Sequence, residues 1–300
     1  MSKRGAACLV VTVLLLGAVV WRAGAGRFAA AFAQPNYLVV AAAFAFTPVV
    51  ILLKAFRWHL LVRSQIADAA FVASLKSYLT GLLLAVLTPL SAGEVARGVY
   101  TSATRRVELT GLVLVDKLFD LTAVCVCGCA GLMLLDWAAW GAAGLALIAV
   151  AWVVGMACVG WLSRSRWSTR YALVGRVSSA MSALRGRLVA MCLSIAVVNF
   201  AVYYTQVYVV FRSFGEAMPL AATAAFPVIT LSTIIPFAIG GLGIRELAAQ
   251  VLLSRFGIGD DVAASAYLIH FALIMIAPAL VGGLWLGDVP RAESTSDPAS

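Results

Sequence analysis

Charge is scarce in this sequence. Of its 300 residues only 12% are charged, against 63% hydrophobic. No polar stretch is long enough to fold as a separate soluble domain. Histidine is rarer still: His59 and His270 are the two, and neither stands beside a serine or cysteine and an acid in motif spacing. There is no His-Glu-x-x-His, Walker or Rossmann pattern, so the common metallohydrolase and nucleotide-binding signatures are excluded. No Cys-x-x-Cys pair occurs either. The six cysteines, Cys8, Cys125, Cys127, Cys129, Cys158 and Cys192, all lie in apolar runs. They read as small buried hydrophobes, neither disulfide nor metal ligands. No cofactor is expected.

What is present is a series of apolar segments, several near the ~20 residues a helix needs to cross a bilayer. They cover 5–21, 37–53, 71–89, 107–135, 138–162, 188–211, a broken stretch at 218–254, and 262–286. The fold class this implies is all-α: a polytopic integral membrane protein with about eight hydrophobic segments in one domain, 1–287. The first run follows Lys3 and Arg4 and precedes Ala23-Gly24-Ala25, a pattern shared with signal peptides. We read it as a retained helix, because everything after it is also membrane-embedded. Residues 288–300 are rich in Ser, Asp and Pro and read as a short disordered tail.

The net charge of +9 is a topology signal, since cytoplasmic loops collect Lys and Arg. The cations are scattered over short loops, which argues against nucleic acid and is compatible with anionic lipid. The basic stretches 54–63 and 163–187 should both be cytoplasmic. Three apolar runs lie between them, and three crossings would put them on opposite sides. A re-entrant hairpin over 71–100, turning at Thr88-Pro89, keeps them on one side. The break around Pro236, Gly240, Gly241 and Gly243 suggests a second hairpin entering from the other face, its returning arm too short to cross. The expectation is six full crossings, two opposed re-entrant hairpins, and both termini in the cytoplasm.

Three polar constellations stand out in this apolar background. Gly93-Glu94-x2-Arg97 follows the first break, and its Glu and Arg share a helix face. Asp116-Lys117-x2-Asp120 puts two carboxylates on one face of another helix. Gly240-Gly241-x-Gly243-x-Arg245-Glu246 feeds a loosened loop into a helix start, whose free N–H groups favour an anion. Arg245 adds a fork suited to phosphate. Each also has a structural reading: Glu94–Arg97 as an ion pair, Asp116, Lys117 and Asp120 satisfying one another, the glycines serving close packing. Three such clusters in one chain favour a polar cavity, because charge in a membrane survives only where protein or water surrounds it. Asn199, Tyr203 and Gln206 share one face of their helix, and either line that cavity or bond to neighbouring helices. His59 reads as an interfacial residue, and His270 as a hydrogen-bonded interior one.

Taken in order, PLSAGEVARG, VDKLFDL and PFAIGGLGIRE resemble the motifs of the lysylphosphatidylglycerol synthase transmembrane, or flippase-like, family. The resemblance covers nearly the whole chain. Two departures are Asp116-Lys117 where members often have Glu-Arg, and Ile239 where many have a second proline. Carried over position by position, the resemblance points to Gly93, Glu94, Arg97, Lys117, Asp120, Gly240, Gly241, Gly243 and Glu246, with Arg245 at a commonly basic position. It implies movement of a phosphate-bearing envelope lipid in a bacterial inner membrane, with membrane lipids and envelope-lipid enzymes as partners. Some members carry a soluble aminoacyltransferase domain, for which these 300 residues leave no room. Two rival functions are a membrane-embedded transferase with Glu94 or Asp120 as base, and a non-transporting membrane subunit.

Overall fold

The computed structural model describes residues 3–102, 104–134, 137–165, 181, 184, 186–215, 218–233 and 241–287. The expected tail, most of the basic stretch 163–187, and Pro236 with Gly240 lie outside the described residues. Among the described residues the chain is all helical, with no strand. The first half runs through α1 (Lys3–Ala23), α2 (Ala25–Ala31), α3 (Tyr37–Phe44), α4 (Phe46–Arg63), α5 (Phe71–Leu87), α6 (Arg97–Thr101), α7 (Arg106–Leu134) and α8 (Ala138–Arg164). The second half runs through α9 (Gly186–Arg212), α10 (Ala225–Ser232), α11 (Ile244–Leu253), α12 (Asp260–Phe271) and α13 (Ala277–Gly282).

Four helical stretches are long and apolar enough to cross a membrane: 37–63, 138–161, 186–212 and 260–285. The pair α1–α2 makes a fifth if its 91° bend at Gly24 is counted within one span. The six expected crossings are thus four to five plain apolar spans. At 29 residues α7 is longer than any of them, but Asp116, Lys117 and Asp120 interrupt its apolar character. The first run is packed into the fold: the Gln250 amide donates to the Val19 carbonyl at 3.1 Å, and Arg22 pairs with Asp260 at 2.9 Å.

The chain reverses after α5 at Thr88. Its hydroxyl donates to the Leu84 carbonyl at 2.6 Å and accepts the Gly93 N–H at 2.6 Å, so one side chain closes the turn. Pro89 opens a 3-10 stretch, Pro89–Ala96, where a missing N–H costs nothing. That stretch returns along α5 so closely that a Cβ at Gly93 would overlap the Leu84 carbonyl. In the second break α10 and α11 pack on each other.

Burial follows two clusters. One gathers α4, α5, α7 and α9 around Trp58, Leu112, Phe119 and Cys192. The other gathers α3, α9, α10, α11 and α12 around Phe211, Phe226, Leu253 and Tyr267. Tyr203 and Tyr204 of α9 pack against both, so α9 is the seam between the halves. Among the cysteines whose side chains are described, Cys192 is buried, Cys125, Cys127 and Cys129 are half-buried, and Cys158 is exposed. All five are free thiols, so the expectation of uniform burial holds only for Cys192.

Replacing Gly93 by Ala forces the returning stretch off α5, at an overpacking cost of about 1–3 kcal/mol. The midpoint of thermal unfolding in detergent should fall for Gly93→Ala. It should hold or rise for Gly26→Ala, whose added Cβ meets nothing within 4 Å.

Candidate functional site

Two helix faces carry the charge. On α4, Lys54 and Arg57 stand three residues apart; on α7, Asp116 and Asp120 stand four apart. Both spacings put each pair on one face, and the faces meet. Arg57 Nε donates to Asp116 Oδ1 at 2.6 Å, and its Nη2 to Asp120 Oδ1 at 2.8 Å. Lys54 Nζ reaches Asp120 Oδ2 at 3.3 Å. From the first hairpin, Arg97 Nη2 donates to the other Asp116 oxygen at 2.6 Å. Arg97 also lies 3.5 Å from Glu94, and Glu94 accepts from Lys117. Arg57, Arg97 and Asp116 are almost wholly buried, whereas the Lys117 side chain is half exposed. The Arg97 guanidinium lies over the Trp58 ring at 4.5 Å and near that of Tyr78 at 5.6 Å. Two helices, α4 and α7, and the first hairpin are therefore tied at one carboxylate.

The structure thus brings Glu94, Arg97, Lys117 and Asp120 together in one ion network. Glu94 and Arg97 do pair, and Asp116, Lys117 and Asp120 take their partners from α4 and the first hairpin rather than from one another. The structure also corrects the expectation that the basic stretch 54–63 is a loop. These residues form the C-terminal part of α4, and Lys54 and Arg57 turn inward because the α7 carboxylates face them. The signal was in the sequence: an i, i+3 pair of cations and an i, i+4 pair of acids on two apolar helices. His59 in the same helix is buried, with Nδ1 3.1 Å from the Ser74 hydroxyl.

The glycine-rich constellation lies on the other side of a small cavity. Gly241 and Gly243 have φ of 75° and 85°, a backbone that favours glycine, and Gly243 opens α11. The anion at this helix start is the chain's own: Glu246 Oε2 accepts the Gly243 N–H at 2.6 Å, and Oε1 accepts from Arg245 Nη2 at 3.0 Å. The free N–H groups expected for an incoming anion are thus partly taken, because a carboxylate three residues into a helix reaches back to its start. Arg245 is buried, over the Phe271 ring at 5.1 Å and the Tyr267 ring at 5.7 Å. Its Nε has no hydrogen-bond partner among the described residues. Gly240 lies outside them.

Arg245 lines a cavity of about 190 Å³ with Lys54, Tyr78, Tyr203, Thr230 and Thr233. The cavity sits between the two packed clusters, with the Lys54 ammonium 5.5 Å from the Phe200 ring. A π-helical turn at Ala272–Ile276 brings Ile274 and Met275 to its wall. Arg97 and Lys117 are not among the lining residues. The α9 face divides its labour. Tyr203 lines the cavity, while Asn199 donates to the Val50 carbonyl at 2.9 Å and Gln206 to that of Ala43 at 3.1 Å. His270 is interior but not hydrogen-bonded: neither ring nitrogen has a partner among the described residues, and the ring meets Tyr203 edge-on at 4.6 Å. Aromatic packing on α9 and α12 took the place of the bond expected there.

Long apolar helices around a buried ion network and a polar cavity make this an integral membrane protein. The chain belongs to the family described as lysylphosphatidylglycerol synthase TM region, whose model matches residues 6–282. Neither the search of curated proteins nor that of solved structures returned a match.

Removing one partner of a buried ion pair costs about 3–5 kcal/mol, because it strands the other charge. Asp116→Asn should lower stability by that order in an SDS-titrated unfolding of mixed micelles. Lys54→Met removes a longer contact from a side chain that is 22% exposed, and should cost no more than about 1 kcal/mol.

Proposed function

We propose that this protein moves a phosphate-bearing lipid between the leaflets of a bacterial inner membrane, as a transporter and not an enzyme. One observation carries the reading: Lys54 and Arg245 face a single small cavity between the two packed halves, with Arg245 Nε unpartnered. A buried guanidinium with a free donor suits a phosphate oxygen. The cavity is too small for a whole lipid, so the head group enters it while the chains stay in the bilayer. Glu94, Asp116 and Asp120 are each held by cations, which supports positioning over general-base chemistry.

In this reading α7 completes six crossings, the N-terminus is cytoplasmic, and the hairpins at 71–100 and 218–255 enter from opposite faces. The ion network of Glu94, Arg97, Lys117 and Asp120 fixes the first hairpin. Gly241, Gly243 and Glu246 shape the arm that presents Arg245. Broken segments meeting at a central site are how many transporters build one.

A charge-assisted hydrogen bond to phosphate is worth about 1.5–3 kcal/mol. Arg245→Ala and Lys54→Met should therefore each slow transbilayer movement of a fluorescent phosphatidylglycerol or polyprenyl phosphate by about tenfold or more. The measurement is reduction of accessible probe in vesicles holding full-length protein, with each variant first shown to elute as the parent does in detergent. Parent-like rates in both variants would remove the cavity from the mechanism.

A further inference from the structure

A second cavity, of about 340 Å³, opens between α7 and α8 and is bounded by Met181, Leu184 and the start of α9. Its shape follows from glycine placement. At one end of the helix pair the packing is close: a Cβ at Gly141 would sit 2.6 Å from the Cys129 carbonyl oxygen, and one at Gly144 2.6 Å from the Cys129 sulfur. At the other end Gly155 faces open space, with nothing within 4 Å of a Cβ. The helices are pinned together at Gly141 and Gly144 and splay toward Gly155, leaving a wedge.

The wedge is built for hydrocarbon. Its walls include Leu118, Leu121, Ile148 and Val159, and its floor is the Trp152 indole. That floor is fixed, because Trp152 Nε1 donates to the Thr122 hydroxyl at 2.8 Å and the ring stacks on Phe119 at 5.3 Å. Thr122 in turn donates to the Leu118 carbonyl at 2.7 Å, so its hydroxyl is already engaged on both sides.

Beyond Gly155 the helix ends beside the wedge carry positive charge, and Met181 and Leu184 complete its lining. The cavity is lined by Val115 of α7, Val159 of α8 and Val189 of α9, and the exposed Arg106, Arg164 and Arg187 lie on the same three helices, with Arg105 just before α7. Arg164 lies five residues past the wedge residue Val159, about 7.5 Å along a helix, and Arg187 lies two residues before Val189. An apolar slot ending at a cluster of arginines matches one class of membrane component.

We propose that the α7–α8 wedge holds an acyl chain of an anionic phospholipid whose phosphate rests on this arginine rim. The site is separate from the cavity at Lys54 and Arg245, with no residue in common. Its occupant is a resident lipid, and the proposal stands whether or not the chain transports anything.

The test is photolabelling of full-length protein in phosphatidylcholine vesicles, using trace phosphatidylglycerol or phosphatidylcholine bearing a diazirine in one acyl chain. The expected result is label concentrated on peptides of α7 and α8, with phosphatidylglycerol favoured. Gly155→Phe puts a ring at the open end, where an added Cβ meets nothing within 4 Å. It should cut that label by about tenfold, as excluding two buried methylenes would. Arg164→Gln with Arg187→Gln should erase the preference for phosphatidylglycerol. Arg245→Ala should leave the label unchanged. Label spread evenly over the lipid-facing helices, equal labelling by the two probes, or full labelling of Gly155→Phe would each overturn the proposal. So would parent labelling that rises when residues 166–180 are replaced by a polar linker, since that segment would then be the occupant.

Discussion

Everything in the first half of this molecule depends on where one carboxylate can be buried. Asp116 has almost no contact with solvent, and it is tolerable there only because guanidinium groups from two other elements close on its two oxygens. An ion pair buried this way contributes little net stability, since desolvation offsets most of the attraction. What it imposes is geometry. Neither Arg57 nor Arg97 can leave without stranding charge in apolar surroundings, so α4, α7 and the first hairpin converge at one point. Trp58 and Tyr78 then pack on Arg97 and keep water away.

The second half solves the same problem differently. Arg245 and Glu246 are neighbours in sequence and pair with each other, so no distant helix is needed to neutralise them. Their burial relies on aromatic rings from α12 and on backbone supplied by the glycine-rich turn. A long-range network on one side and a self-contained pair on the other leave Lys54 and Arg245 facing each other across a gap. The seam helix α9 contributes Tyr203 to that gap and spends Asn199 and Gln206 on holding α3 and α4.

Much of this was legible in the sequence. The helical character and the reversal at Thr88-Pro89 follow from hydropathy and turn residues, the family from the resemblance of three motifs in order, and the rare charges single out Asp116, Lys117 and Asp120. Lys54 and Arg57 were misplaced for a clear physical reason. Cations at the end of an apolar run usually mark the membrane edge, and only the complementary spacing on α7 says otherwise. The capping of α11 by Glu246 was hidden because a helix start reads alike whether its anion comes from outside or from three residues on. The wedge was invisible because Gly141 and Gly155 look equivalent until their neighbours are known. Hydrogen bonding of His270 failed for a related reason: periodicity places a residue inside but does not name what surrounds it.

The self-pairing of Arg245 with Glu246 bears on kinetics. Lys54 already holds Asp120 and Arg245 already holds Glu246, so under the proposed function an arriving anion meets cations that each have one partner, with Arg245 Nε left over. It enters by exchange: old contacts loosen as new ones form. Such a swap has a small free-energy difference in either direction and no deep well at its centre. A site with wholly bare cations would hold an anion longer; under the proposed function, cations that are already part-neutralised favour short residence.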